Sequence, residues 1–239
     1  MNMIRGSVCL LAALVLSPTL HAQLPPPTAE AADAFKKEKH YSPYAGRNFP
    51  TQVFWGDTHV HTGMSMDAGA FGARLLPEDA HRFARGEEIT SSTGLKVKLS
   101  RPMDFLVVSD HSDNMGFFPK LYDGEPEVLA DPTGKRWDNL IQGGGQEGVK
   151  AAVEINQGLT NNNFPPALAS VPGSDDYRDA WEVTIDAAEK YNEPGKYTAF
   201  IGYEWTSTDR GVNRHRVVIY RDGGDKASML VPANTTPPH

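Results

Sequence analysis

The 239-residue chain contains one cysteine, Cys9, and that residue lies close to the N-terminus. Disulfides need pairs of cysteines and thiolate zinc sites need several, so neither can hold this protein together. Any metal must be bound by His, Asp and Glu. Positive charge is also in short supply, with 23 Lys and Arg against 30 Asp and Glu, a formal net charge of −7 and a pI near 5.6. Binding to a phosphate backbone draws on a basic surplus, so no nucleic acid is expected as a partner. Long apolar runs are missing too: no window after the first residues approaches the ~20 apolar positions that spanning a bilayer requires. Counting Gly and leaving out Tyr, about 45% of the residues are apolar, enough for one large domain or two small ones with a buried core.

The first 22 residues stand apart. Arg5 supplies positive charge, Val8 to Leu16 is a short apolar run, and Ser17-Pro18 breaks it ahead of the small residue Ala22. This is the layout of a secretory signal, with cleavage expected after Ala22. Cys9 falls before the apolar run ends, where a lipid-anchor cysteine would follow it, so no stable membrane anchor is expected. Export of a chain without thiols fits a periplasmic or secreted location. Residues 23–50 mix Pro, Ala and both charges without periodicity and read as a linker or strap, with Lys36 to Lys39 as a solvated charge run. The remaining residues, 51–239, hold the folded domain.

Within that domain, Val53 to Asp57, Asp104 to Ser109, Tyr197 to Tyr203 and His215 to Arg221 are short runs rich in β-branched and aromatic residues. Phe105-Leu106-Val107-Val108 is apolar without alternation, as in a strand covered on both faces of a parallel sheet. Pro77 to Glu88 and Asp175 to Tyr191 carry helical patterns, the latter with Trp181, Ile185 and Ala188 at helical spacing. The order predicts an α/β fold. Residues 113 to 173, rich in Gly, Asn and Pro, read as a long insertion, and Gly143-Gly144-Gly145 as a flexible loop rather than a phosphate cradle. Asn234-Thr235-Thr236 matches a glycosylation pattern by chance.

The chemistry gathers where the strands end. In His59-Val60-His61 the two imidazoles are i and i+2 of an extended segment and point the same way, roughly 6 to 7 Å apart. Asp67 follows across a Gly, Ser and Met turn. Ser109-Asp110-His111-Ser112-Asp113 ends the second strand, Glu204 the third, and His215 opens the fourth. Each motif has an ordinary structural reading: a satisfied core histidine, a capping Asp, an ion pair of Glu204 with Arg210 or Arg214, a surface His215. Together they are harder to dismiss, because of the 8 histidines, His59, His61, His111 and His215 all fall beside predicted strand ends.

In order, His59-x-His61-Thr62-x2-Ser65-x-Asp67, then Ser109-Asp110-His111, then Gly202-x-Glu204 and His215 resemble the successive motifs of the polymerase and histidinol phosphatase (PHP) superfamily. Phe54-Trp55-Gly56-Asp57-Thr58-His59 and Tyr41 to Gly46 are similar to an exported bacterial branch of it whose function is unassigned. The resemblance, running from about Ser42 onward, implies a distorted (β/α)7 barrel with two or three divalent ions that usually hydrolyses phosphate esters. By position it implies metal ligands at His59, His61, Asp67, His111, Glu204 and His215, with Asp57 and Asp110 orienting the imidazoles. The superfamily has further ligands, a His on a later strand and an Asp-x-His, that this sequence does not contain. The sequence is therefore expected to be an N-terminal portion, with a partial barrel, an incomplete ligand set, no activity of its own and an exposed sheet edge.

Imidazole and carboxylate donors suit Zn, Mn or Fe. The expected protein is an exported metal-dependent hydrolase, a phosphoesterase before all else, that acts with metal-activated water on a small anionic substrate. Arg74, Arg214 and Arg216 are the candidates to bind that anion. Two alternatives stay open: hydrolysis of a C–N or carboxylic ester bond, and a non-catalytic binding module on the same fold.

Overall fold

A computed structural model describes residues 28–31, 52–209 and 212–234. The expected secretory signal, most of the expected 23–50 strap and residues Thr235 to His239 lie outside the described residues. No helix among the described residues is long and apolar enough to cross a membrane.

The fold is mixed α/β. Strands β1 (Gly56–Val60), β4 (Phe105–Val108) and β5 (Thr198–Phe200) form a parallel sheet in the order β1-β4-β5. Between β1 and β4 lie α1 (Met66–Ala70), α2 (Pro77–Ala84) and a small hairpin of β2 (Ile89–Thr90) and β3 (Lys96–Val97). The chain then runs through α3 (Phe117–Asp123), α4 (Pro126–Ala130), α5 (Pro132–Gly143), α6 (Gly145–Thr160) and α7 (Asp175–Tyr191) before β5. Strand β6 (Gly202–Asp209) follows and pairs antiparallel with β7 (Val212–Ile219), and α8 (Gly224–Ala227) comes last. No barrel closes among the described residues, and β1 and β7 each have one pairing neighbour there.

The sheet follows from its apolar runs. Leu106, Val107 and Val108 are buried in succession, because α2 and α7 cover one side and other chain segments the other. Helix α7 has the bounds its pattern predicts. Ser174 caps it, its hydroxyl accepting from Tyr177 N at 3.3 Å, and its buried face of Tyr177, Trp181, Ile185 and Ala188 packs on Leu106, Val108 and Ala199. The Trp181 indole donates to the carbonyls of Ala227 (3.1 Å) and Leu230 (3.0 Å), which satisfies its only polar group.

Several expectations need correction. The first strand lies at Gly56–Val60 rather than Val53 to Asp57, and Val53, Phe54 and Trp55 stay exposed ahead of it. Gly56 marks the entry, since a Cβ there would sit 2.2 Å from the Phe105 carbonyl oxygen across the β1–β4 seam. Helix α2 stops at Ala84, ahead of Gly86, whose φ of 82° suits a helix end. The fourth strand begins at Val212, so His215 lies within it. The insertion, for which no helix was predicted, builds α3 to α6 around a second apolar core of Phe117, Phe118, Leu121, Trp137, Ile155 and Phe164. Its prolines were misleading because Pro126 and Pro132 occupy first-turn positions, where a missing N–H costs nothing. Asp131 caps α5, accepting from Thr133 N and Gly134 N, and Gly143 to Gly145 form the tight junction between α5 and α6.

His81 on α2 is fully buried, its Nδ1 hydrogen-bonded to the Tyr197 hydroxyl at 2.9 Å. Burial lowers its pKa from 6.5 to about 4, so the folded protein keeps it neutral. In acid the unfolded chain takes up a proton that the folded chain refuses, and stability falls as pH drops from 6.5 towards 4. The full loss attributable to this residue is about 3 kcal/mol. Denaturant unfolding at pH 7 and pH 4.5 is expected to show a smaller acid loss in His81→Gln than in the wild type; equal losses would refute the assignment.

Candidate metal centre

The long strand that carries Glu204 begins in β5 and continues into β6. Phe105 pairs with Thr198, and His111, beyond the end of β4, pairs with Glu204 in the same register. The Glu204 N–H donates to the Asp110 carbonyl and the Ser112 N–H to the Glu204 carbonyl, both at 2.9 Å. Gly202 permits this course, because a Cβ there would meet Val107 Cγ1 at 2.5 Å and the Val218 carbonyl oxygen at 2.8 Å. The Gly-x-Glu spacing is thus a packing requirement next to a functional one.

Four of the five expected partners gather directly on the Glu204 carboxylate, which is 1% exposed. Oε2 lies 3.0 Å from His59 Nε2, 2.9 Å from His61 Nε2 and 3.6 Å from His111 Nε2, while Oε1 lies 2.8 Å from His215 Nδ1. The imidazoles form an arc, with ring centroids 5.0 Å apart from His59 to His61, 4.8 Å from His61 to His111 and 5.3 Å from His111 to His215. Asp67 joins through His61 Nδ1, 2.9 Å from its Oδ1, and through His111 Nε2, 3.6 Å from its Oδ2. His59 and His215 are about half exposed, so the arc is buried at Glu204 and open at its rim.

Three overlapping groups can each hold a metal ion: His59, His61 and Glu204; His61, Asp67 and His111; His111, Glu204 and His215. Within each group the donor atoms lie within 4.8 Å of one another. The donor set fits a cation on a further ground. His61 Nε2 and Glu204 Oε1 are buried and make no hydrogen bond, because their near neighbours, Glu204 Oε2 at 2.9 Å and His215 Nδ1 at 2.8 Å, are out of alignment with them. Lone pairs converging without a proton between them are what a bound ion would satisfy.

The electrostatics follow from this crowding. Burial opposes protonation of His61, but the hydrogen bond to Asp67 and the charges of Asp67, Asp110 and Glu204 outweigh it and raise its pKa. Burial would push Asp67 up, yet the nearby His111 ring and the hydrogen bonds with His61 and Ser65 hold it well below the usual carboxylate range. Asp110 is fully buried, and desolvation raises it to about 6 against the hydrogen bonds it accepts from Thr62.

The residues expected to orient the imidazoles do something else. Asp57 accepts from the backbone N–H of His59 at 2.8 Å, folding onto its own strand. Asp110 points away from His111, as neighbours in an extended segment must, and its carboxylate accepts from the Thr62 N–H and from the Thr62 hydroxyl at 2.7 Å. It clamps the His59–His61 loop to the end of β4. The charge of Asp113, the other carboxylate of that motif, bears on buried Tyr177.

Arg74 lies over the Tyr122 ring, 3.1 Å from its centroid, and donates to the Gly69 and Ala73 carbonyls. Arg214 and Arg216 flank His215 on β7, so alternation sends them to the opposite face of the ribbon. Arg216 donates to the His215 carbonyl at 2.8 Å.

Two hydroxyls were missed in the sequence. The buried Ser65 hydroxyl donates to Asp67 Oδ1 at 2.7 Å and accepts from the His111 N–H at 3.0 Å, which ties the first motif to the second. Thr206 Oγ1 lies 2.8 Å from His111 Nδ1 and 3.2 Å from His215 Nδ1. Its position two residues after Glu204, on the same strand face, was the available signal.

An α/β protein with a histidine and carboxylate cluster able to hold a metal ion is the class these features define. Residues 48–238 match a family described as proteins of unknown function (DUF3604), and the chain belongs to that family. No curated protein and no solved structure matches it.

Replacing Asp110 by Asn puts an amide N–H₂ where the carboxylate accepts two hydrogen bonds. The cost is expected to be roughly 1–3 kcal/mol, together with a weaker hold on the His59–His61 loop. Urea unfolding checks the first effect and metal titration the second; a variant as stable as the wild type would show that the clamp is not needed.

Proposed function

We propose that the protein is an exported, metal-dependent hydrolase of phosphate esters. The observation that carries this reading is the buried Glu204 carboxylate, met by four imidazoles with buried donor atoms left unbonded. A buried anion of this kind is costly unless cations compensate it. The reading of residues 1–22 as a secretory signal supports the periplasmic or secreted location.

Counting donors favours two ions on these residues. His61 Nδ1 is engaged by Asp67 and His111 Nδ1 by Thr206, so each of these rings has one nitrogen left for an ion. His61 and His111 each belong to two of the three groups, which therefore cannot all be filled at once. Glu204 belongs to both outer groups, its Oε2 facing His59, His61 and, at 3.6 Å, His111, and its Oε1 facing His215, so both ions would draw on its carboxylate. Zn, Mn or Fe suits such donors. When bound, the ions would acidify water and neutralise phosphate charge.

The chain's own part is to orient and to desolvate. Asp67 holds the His61 ring, the Ser65 hydroxyl couples Asp67 to His111, and Glu204 supplies the compensating charge. Water adds OH to phosphorus, the P–O ester bond breaks, and the proton goes to the leaving alcohol. With Arg74 engaged elsewhere and Arg214 and Arg216 on the far face, the substrate anion would be met by the ions themselves. The consecutive parallel order β1-β4-β5 supports reading the fold as part of a PHP-type barrel.

Elemental analysis of the full chain after dialysis against Zn, Mn or Fe is expected to find two ions in the wild type and fewer in Glu204→Gln, and any metal-dependent turnover of an aryl phosphate should vanish in that variant. A chain that binds no divalent ion would sink the proposal.

A further inference from the structure

We propose that Thr206 is a positioning residue that fixes the His111 ring in its Nδ1–H form, so that Nε2 presents a lone pair to the centre. The consequence for metal binding rests on the function proposed above, whereas the assignment of the ring proton does not.

His111 is held at two points. Its backbone N–H donates to Ser65 Oγ at 3.0 Å, and its Nδ1 lies 2.8 Å from Thr206 Oγ1. Its Nε2 lies 3.6 Å from both Asp67 Oδ2 and Glu204 Oε2, too far for a hydrogen bond to either. The same spacing suits an ion held by bonds of ~2 Å between them. A neutral imidazole carries one N–H, so whichever group takes the proton at Nδ1 decides what Nε2 can do. With Nδ1–H donating to the Thr206 hydroxyl, Nε2 is a free donor aimed between two carboxylates. With the proton on Nε2 instead, the ring would face those carboxylates as an acid and could not ligate.

Thr206 suits this role. It shares a face of β6 with Glu204 and lies directly opposite His215 in the β6–β7 register. A hydroxyl has two lone pairs, so one side chain can accept from His111 and also meet His215 Nδ1 at 3.2 Å. It is 8% exposed, which keeps water from competing for the ring. Valine has nearly the same shape and strand preference but no hydroxyl, and serine keeps the hydroxyl.

The test combines nitrogen NMR with metal titration on the full chain. In metal-free wild-type protein labelled with ¹⁵N-histidine, the neutral His111 ring is expected in the Nδ1–H form. Thr206→Ser should keep that form, and Thr206→Val should move the ring towards Nε2–H. On titration with Zn, Thr206→Val should lose roughly 10- to 100-fold in affinity for one ion, while Thr206→Ser stays with the wild type. In a His111→Ala background, Thr206→Val should add nothing further. A wild-type His111 found in the Nε2–H form overturns the inference whatever the variants do. So does a Thr206→Val chain that keeps the Nδ1–H form and wild-type affinity. A wild-type chain that binds no metal but shows the Thr206-dependent Nδ1–H form supports the inference and defeats only the proposed function.

Discussion

A carboxylate removed from water and surrounded by imidazoles governs the rest of this structure. Burying an ionised carboxylate without a partner costs several kcal/mol, so Glu204 imposes conditions on everything that touches it. His59 and His61 reach it from the end of β1, His111 from beyond the end of β4, and His215 from across the β6–β7 ribbon. These approaches require β4 and the β5–β6 strand to keep one register from Phe105 to His111. A slip of one residue would send Glu204 to the other face and put Tyr203 or Trp205 in its place.

The two apolar cores serve that requirement differently. The first, built on Trp181, Tyr177, Leu106 and Val108, presses α7 against the sheet and fixes the strands themselves. The second gathers Met66 of α1 with Phe117, Phe118 and Trp137. Because Asp67 follows Met66 directly, the helical insertion anchors the turn from which that carboxylate reaches His61. Where the sequence suggests a passive excursion, the packing makes the insertion a support of the centre.

What could be read in advance divides along physical lines. The α/β class, the both-faces-buried strand at Phe105–Val108 and the bounds of α7 were legible, because each is a local pattern of apolar residues. The gathering of His59, His61, Asp67, His111, Glu204 and His215 in one place was legible as well, since i, i+2 spacing and strand ends fix direction without knowledge of the packing. The roles of Asp57, Asp110 and the three arginines were not. Asp110, Arg214 and Arg216 each adjoin a histidine in sequence and so point, by alternation, to the opposite face, while Asp57 bonds its own strand and Arg74 lies over Tyr122. The helices of residues 113–173 were hidden because Pro and Gly there act as first-turn and junction residues, which composition alone cannot distinguish from loop residues. The bridging roles of Ser65 and Thr206 were not legible for another reason: a hydroxyl carries no charge to betray that it links two histidine-bearing segments, even where, like Ser65, it stands within a motif.

His59 and Glu204 are separated by 145 positions along the chain. Contacts that distant close late, after the entropy of ordering the intervening segment has been overcome. During synthesis the early histidines emerge long before the glutamate and His215, and until then they are isolated side chains with little hold on any ion. Assembly of the cluster is therefore bound to completion of tertiary structure, and a half-made chain offers no converged set of donors.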